Sequence, residues 1–180
     1  MGGDCRMRRC LNLTLAGAAA CLIVGCATQS KPTLTTSGRR IPNVRTTAYT
    51  ELEGGSGHHN ALGQYLSGRH VMSAASDWSR YPLGTRFRLV DTSEEYVIDD
   101  YGGALLGTDT IDLYKPSRLD VKRWGVRHVD IDILQWGSDE QSLKVLAPRC
   151  KHHCARQMVA AIQKKKGKTV AESSPAHTSL

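Results

Sequence analysis

The chain has 180 residues and a formal net charge of +7, with 40% hydrophobic and only 6% aromatic residues. That length suits one domain plus extensions, and Phe87 is the single Phe, so the core must rest on Val, Ile, Leu and a few Tyr and Trp. The positive charge lies at the ends: 148–180 hold seven Lys and Arg against Glu172, while 27–147 hold 14 basic and 15 acidic residues. This distribution argues against a nucleic-acid-binding domain, which carries its charge on a folded face.

Arg6, Arg8 and Arg9 precede an apolar run of 14 residues, Leu11 to Val24. The run falls short of the roughly 20 residues that span a bilayer and reads as an export signal. It ends Leu22-Ile23-Val24-Gly25-Cys26, which resembles a bacterial lipobox. The resemblance implies a signal peptide over 1–26, with a lipid on Cys26 anchoring the chain to the membrane. An ordinary signal peptide or a buried apolar helix is the alternative, and Met7 is a second possible start. Ala27 in place of Asp implies, by similarity to Gram-negative lipoproteins, an outer-membrane protein facing the periplasm. Cys5, Cys10 and Cys21 leave with such a signal, so Cys150 and Cys154 remain as a disulfide or two thiols. Cys150-Lys151-His152-His153-Cys154 crowds its ligands into one segment, whereas structural zinc takes two separated pairs, so no metal is expected.

Polar residues with Pro, Ser, Thr and Gly over 27–43 read as a flexible tether. Val44–Thr50 is an expected strand, followed by a glycine-rich loop, Glu51–Gly68, in which His58 and His59 receive no role. Arg69–Ser76 is a second strand with Asp77 just beyond it, and Pro82-Leu83-Gly84-Thr85 reverses the chain. Arg86–Val90, Tyr96–Asp99 and Thr110–Tyr114 are extended. Pro116–Trp124 is helical, with Pro116 in the first turn and Gly125 at the stop. Val129, Ile131 and Ile133 alternate with Asp130 and Asp132 in a closing strand whose acids face solvent. Ser138-Asp139-Glu140-Gln141 has the form of a capping box opening a short helix. Cys154–Lys168 reads as a basic helix with Met158, Val159 and Ile162 on one side, within a tail over 148–180 that ends in disorder. Six or so short strands with small helices predict a mainly β barrel over 44–147.

The richest stretch is Asp99–Tyr114, where Asp100 and Asp112 border a loop containing Gly102 and Gly103. Glycines without Cβ atoms let a ligand approach the backbone, and paired carboxylates in a groove suit acid–base chemistry on a sugar. The same residues also suit a plain turn. Asp99 and Asp109 are expected to be solvent-facing neighbours.

The ordered set of segments resembles the 3D domain, named for three aspartates and found in a membrane-bound lytic murein transglycosylase and in stationary-phase survival proteins. The matching pieces are Thr47-Ala48-Tyr49, Asp77 with Pro82-Leu83-Gly84-Thr85, Asp100-Tyr101-Gly102-Gly103-Ala104-Leu105 and Gly107. They continue with Ile111-Asp112-Leu113-Tyr114, Trp124-Gly125 and the closing strand Val129–Leu134. The resemblance implies a double-psi β-barrel that cleaves peptidoglycan glycan strands, leaving 1,6-anhydro ends, with no cofactor and as a monomer. It implies Asp112 as the acid, with Asp100 and Asp77 completing the trio, and Tyr49, Tyr101, Gly102 and Gly103 against the substrate. Three departures bear on subsite shape: Tyr101 stands where the family has Thr, one extra residue separates Gly107 from Asp112, and Asn60-Ala61-Leu62-Gly63 replaces Thr-Ala-Ser-Gly. Two other functions fit the same residues: glycan hydrolysis by the carboxylates, and non-catalytic glycan binding by a lipid-anchored envelope module.

Overall fold

Alternating apolar residues place six strands around one core. They are β1 (Arg39–Tyr49), β2 (Val71–Ala75), β3 (Arg86–Leu89), β4 (Glu95–Asp100), β5 (Ile111–Tyr114) and β6 (Arg127–Gln135). The computed structural model describes residues 39–52 and 57–173. The expected signal peptide, Cys26, the tether before residue 39, Gly54, Gly55 and the residues after 173 lie outside the described residues.

The strands close in the order β1-β5-β2-β4-β3-β6. The β1/β5 and β2/β4 pairs are parallel and the others antiparallel. Closure removes the unpaired edge that a short open sheet of this kind would expose. Phe87 and Leu89, Tyr96 and Ile98, Ile111 and Leu113, and Val129, Ile131 and Ile133 point inward and are buried. The Phe87 and Tyr96 rings stack at 5.5 Å and Trp78 is fully buried, so these three aromatics serve the core.

β1 begins at Arg39, five residues earlier than the strand expected from Val44, and so takes in part of the stretch that reads as a tether. Arg39–Ile41 pair with residues 131–133 of β6, the register shifts before Val44, and Asn43 takes a positive φ of 57°. That irregularity accommodates Pro42, which has no N–H to give a ladder. The Asn43 N–H donates instead to Asp130, and Arg40 pairs with Asp132 at 2.9 Å, so both outward acids of β6 have partners.

The helices follow their caps. α1 (Arg118–Trp124) starts after Ser117, whose side chain accepts from the Asp120 N–H, so Pro116 lies before the helix rather than in its first turn. Gly125 ends it with a φ of 64°. α2 (Asp139–Leu146) is capped by Ser138, which accepts from the Gln141 N–H. α3 (His153–Ser173) is not a detached tail: Ala155, Met158 and Ile162 are fully buried in the cluster that contains Leu146 and the barrel core.

Gly137 joins β6 to α2 against the Pro82–Thr85 turn. Its N–H donates to the Thr85 hydroxyl at 3.0 Å, and a Cβ there would collide with the Pro82 and Leu83 carbonyl oxygens. Backbone atoms cannot swing aside as a side chain would. Gly137→Ala is expected to cost about 2–3 kcal/mol of folding free energy in chemical denaturation. A change below about 0.5 kcal/mol would mean that the turn yields freely.

Candidate functional site

β2 brings the two carboxylates of the glycine-rich stretch together. Ala75 aligns with Asp100 of β4 on one side and with Asp112 of β5 on the other. Two strand spacings put their Cα atoms about 10 Å apart. On β1, Thr47 lies opposite Asp112, and its hydroxyl donates to Asp112 Oδ1 at 2.5 Å. Tyr49 projects from the same face two residues on, and its hydroxyl donates to Asp100 Oδ2 at 3.4 Å. Its ring meets the Tyr114 ring edge-on at 5.7 Å. The phenol pKa is raised first by burial, then by the negative fields of Asp100, Asp99 and Asp112. Tyr49 is thus a fixed, neutral donor set among three carboxylates.

Asp100 is half-buried, and burial pushes its pKa up to about 6, with the neighbouring Asp99 adding to the rise. The Tyr101 N–H, which donates to Oδ1 at 2.9 Å, and the Tyr49 hydroxyl oppose it. Asp99 is not solvent-facing as the sequence predicts. It is 8% exposed and accepts from Ser73 Oγ at 2.7 Å and from Asn60 Nδ2 at 2.9 Å. The cause is a register shift between β2 and β4, where Ala74 pairs with Ile98 but Ala75 with Asp100. Asp99 is the extra residue and turns into the barrel wall. Burial raises its pKa against the lowering effect of those two hydrogen bonds. Asp109 is exposed and lies 3.5 Å from Arg80.

Asp77 holds Ser79 and the loop end at Gly107. It is buried, and Oδ1 accepts from the Ser79 N–H and hydroxyl at 2.9 and 2.8 Å. Oδ2 accepts from the Gly107 N–H at 2.7 Å. Its carboxylate therefore fastens the far end of the glycine loop. At the near end, the Tyr101 ring packs edge-on against Trp78 at 5.1 Å, and Trp78 donates to the Asp100 carbonyl at 2.8 Å. Gly102 and Gly103 lie between these two anchors, on the short 3-10 turn Gly103–Leu105 and its cap. A Cβ on Gly103 would find nothing nearer than the Cys154 side chain of α3, at 3.9 Å.

Sequence reasoning did not single out Asn60 or Thr47 as functional. Asn60 was visible only as a departure in the early loop, and Thr47 as one piece of a motif. The segment after α2 reaches that early loop too, where Arg149 donates to the Ala61 carbonyl at 2.7 Å. Cys150 and Cys154 are free thiols. Among the described residues, no cluster of three or more His, Cys, Asp or Glu could hold a metal ion, and no helix is long and apolar enough to cross a membrane.

No family model matches the chain. Among characterised proteins, it is similar to the cell wall-binding protein YocH of Bacillus subtilis (strain 168), at 35% identity over 92 residues. The match covers 51% of this chain and 31% of that protein, so the chain spans about a third of the relative's length.

The raised Asp100 pKa sets a stability test. An acid whose folded pKa lies above its unfolded value contributes stability below the unfolded value and loses it as pH rises through the folded one, here about 6. Asp100→Asn removes the cost of a half-buried charge. It is expected to stabilise the fold by about 2 kcal/mol at about pH 7.5 and to leave it nearly unchanged near pH 4. Equal destabilisation at both pH values, measured by urea unfolding, would contradict the placement of this carboxyl.

Proposed function

We propose that the chain acts on bacterial cell-wall peptidoglycan, cleaving the bond between N-acetylmuramic acid and N-acetylglucosamine without water. The observation that carries this proposal is the placement of Asp100 and Asp112 on either side of Ala75, with the Tyr49 hydroxyl donating to Asp100. Similarity to a protein named for cell-wall binding supports the target. The ordered motif resemblance to the 3D domain supports the reaction, and on this proposal the six-stranded barrel is of the double-psi type.

In the proposed mechanism, Asp112, oriented by Thr47, gives its proton to the glycosidic oxygen as the bond to C1 breaks. The Asp112 carboxylate then takes the proton of the muramic acid C6 hydroxyl, whose oxygen closes on C1. The leaving sugar departs with the first proton, so the enzyme returns to its starting state and no water is consumed. Asp100, ionised above about pH 6, stabilises positive charge on the ring. Asp77 acts through Gly107 to position the loop. The N–H groups at Gly102 and Gly103, with Tyr101 and Tyr49, contact acetamido and hydroxyl groups. Lipidated Cys26 would hold the domain, as a monomer, at the envelope surface that carries its substrate.

A second reading, wall binding without cleavage, is favoured by similarity to a protein named for cell-wall binding alone. Digestion of purified murein separates the two. Asp112→Asn is expected to lose at least about 100-fold in release of anhydro-muropeptides, the usual scale for a missing acid–base group, while still sedimenting with murein. Wild-type activity should rise as pH climbs through about 6, because Asp100 is needed as a carboxylate. Undiminished release by Asp112→Asn would overturn its role. Wild-type retention on murein with no product would establish binding alone.

A further inference from the structure

A recess lies against the end of the glycine loop. It has a volume of about 700 Å³ and runs between α3 and the loop end at Leu106 and Gly107. Leu106 and Ala161 make an apolar floor over the buried Met158, and Lys164 and Lys168 stand along the rim, with Arg80 across from α3. No aromatic side chain lines it, so it lacks the stacking platforms that nucleic-acid bases require.

Its charge is one-sided. The one acid in its lining, Asp77, is spent on Gly107 and Ser79. Arg80 faces Asp109 at 3.5 Å and Lys165 pairs with Asp139 at 2.8 Å. Lys164 and Lys168 make no ion pair among the described residues. They are four residues apart on one helix, a spacing at which like charges repel. An anion seated in the groove relieves that repulsion. The apolar floor asks that the anion also carry small apolar groups.

We propose that this groove binds the acidic, alanine-containing stem peptides of peptidoglycan, so that peptide-bearing strands are preferred over bare glycan. The proposal rests on the wall-directed function above. Its geometry follows from the shared loop: Asp100 begins the loop and Leu106–Gly107 ends it against the groove, so a strand at the carboxylate pair and its peptide in the groove flank one wall. A recess walled by two elements suits a short extended peptide better than a flat lipid surface does. Stem-peptide carboxylates match Lys164 and Lys168, and alanyl methyls match Leu106 and Ala161.

The test measures binding of the full-length protein to three probes: labelled glycan strands with stem peptides, the same strands stripped by an amidase, and free stem tetrapeptide as competitor. Wild type is expected to bind peptide-bearing strands about fivefold more tightly, as two exposed ion pairs allow, and to lose that preference at high salt. Lys164→Gln/Lys168→Gln, at surface positions outside the cleavage machinery, should abolish the preference and the competition by tetrapeptide while binding stripped strands as before. Equal affinity of wild type for both strands overturns the groove assignment and leaves the wall-directed function standing. Failure of wild type to bind either strand overturns that function, and tetrapeptide binding then decides the groove separately. Loss of retention on vesicles containing phosphatidylglycerol in the double variant, with no peptide preference in wild type, reassigns the groove to lipid and overturns the proposal.

Discussion

The register shift between β2 and β4 is the constraint on which the site depends. Successive strand residues face opposite ways, and one extra residue at Asp99 resets that alternation at the strand's end. Asp99 turns in to Ser73 and Asn60, while Asp100 turns out to Tyr49 and Tyr101. Two adjacent carboxylates thus occupy two environments, one closed against Ser73 and Asn60 and one beside Tyr49 and Tyr101. Without the shift, Ala75 would not align with Asp100 and Asp112 at once.

This arrangement works against stability. Burial raises the pKa of both Asp99 and Asp100, so keeping them ionised at neutral pH costs folding free energy. The surrounding structure offsets that cost. Trp78 holds the Asp100 carbonyl, Asp77 fastens the loop at Gly107, and Arg149 secures the Asn60–Ala61 segment from the C-terminal side. These perturbed, supported carboxyls are the groups on which the proposed chemistry rests.

Much of this was legible in the sequence because it rests on local rules. The alternation in Val129–Ile133, the Ser138 cap and the Gly125 stop depend on neighbours within one turn or strand, and each appears where expected. Three features were hidden because they depend on distant partners. Arg39–Ile41 look like tether until β6 supplies their ladder. α3 looks like a basic tail until Met158 and Ile162 find the core beside Leu146. Asp99 looks like a solvent-facing acid until the register shift turns it inward. The candidate pair itself was readable from its glycine loop, whereas Asp77 joined it only through resemblance and in the structure fastens that loop's other end.

If the pair cleaves glycan as proposed, the muramic acid hydroxyl, not water, closes on the sugar carbon. Digestion of purified murein in heavy-oxygen water, followed by mass spectrometry of the products, tests this most directly. Lytic cleavage predicts anhydro products one water lighter than hydrolysed ones and free of the heavy isotope. Heavy oxygen at the new reducing ends would contradict it and assign the same carboxylates to hydrolysis.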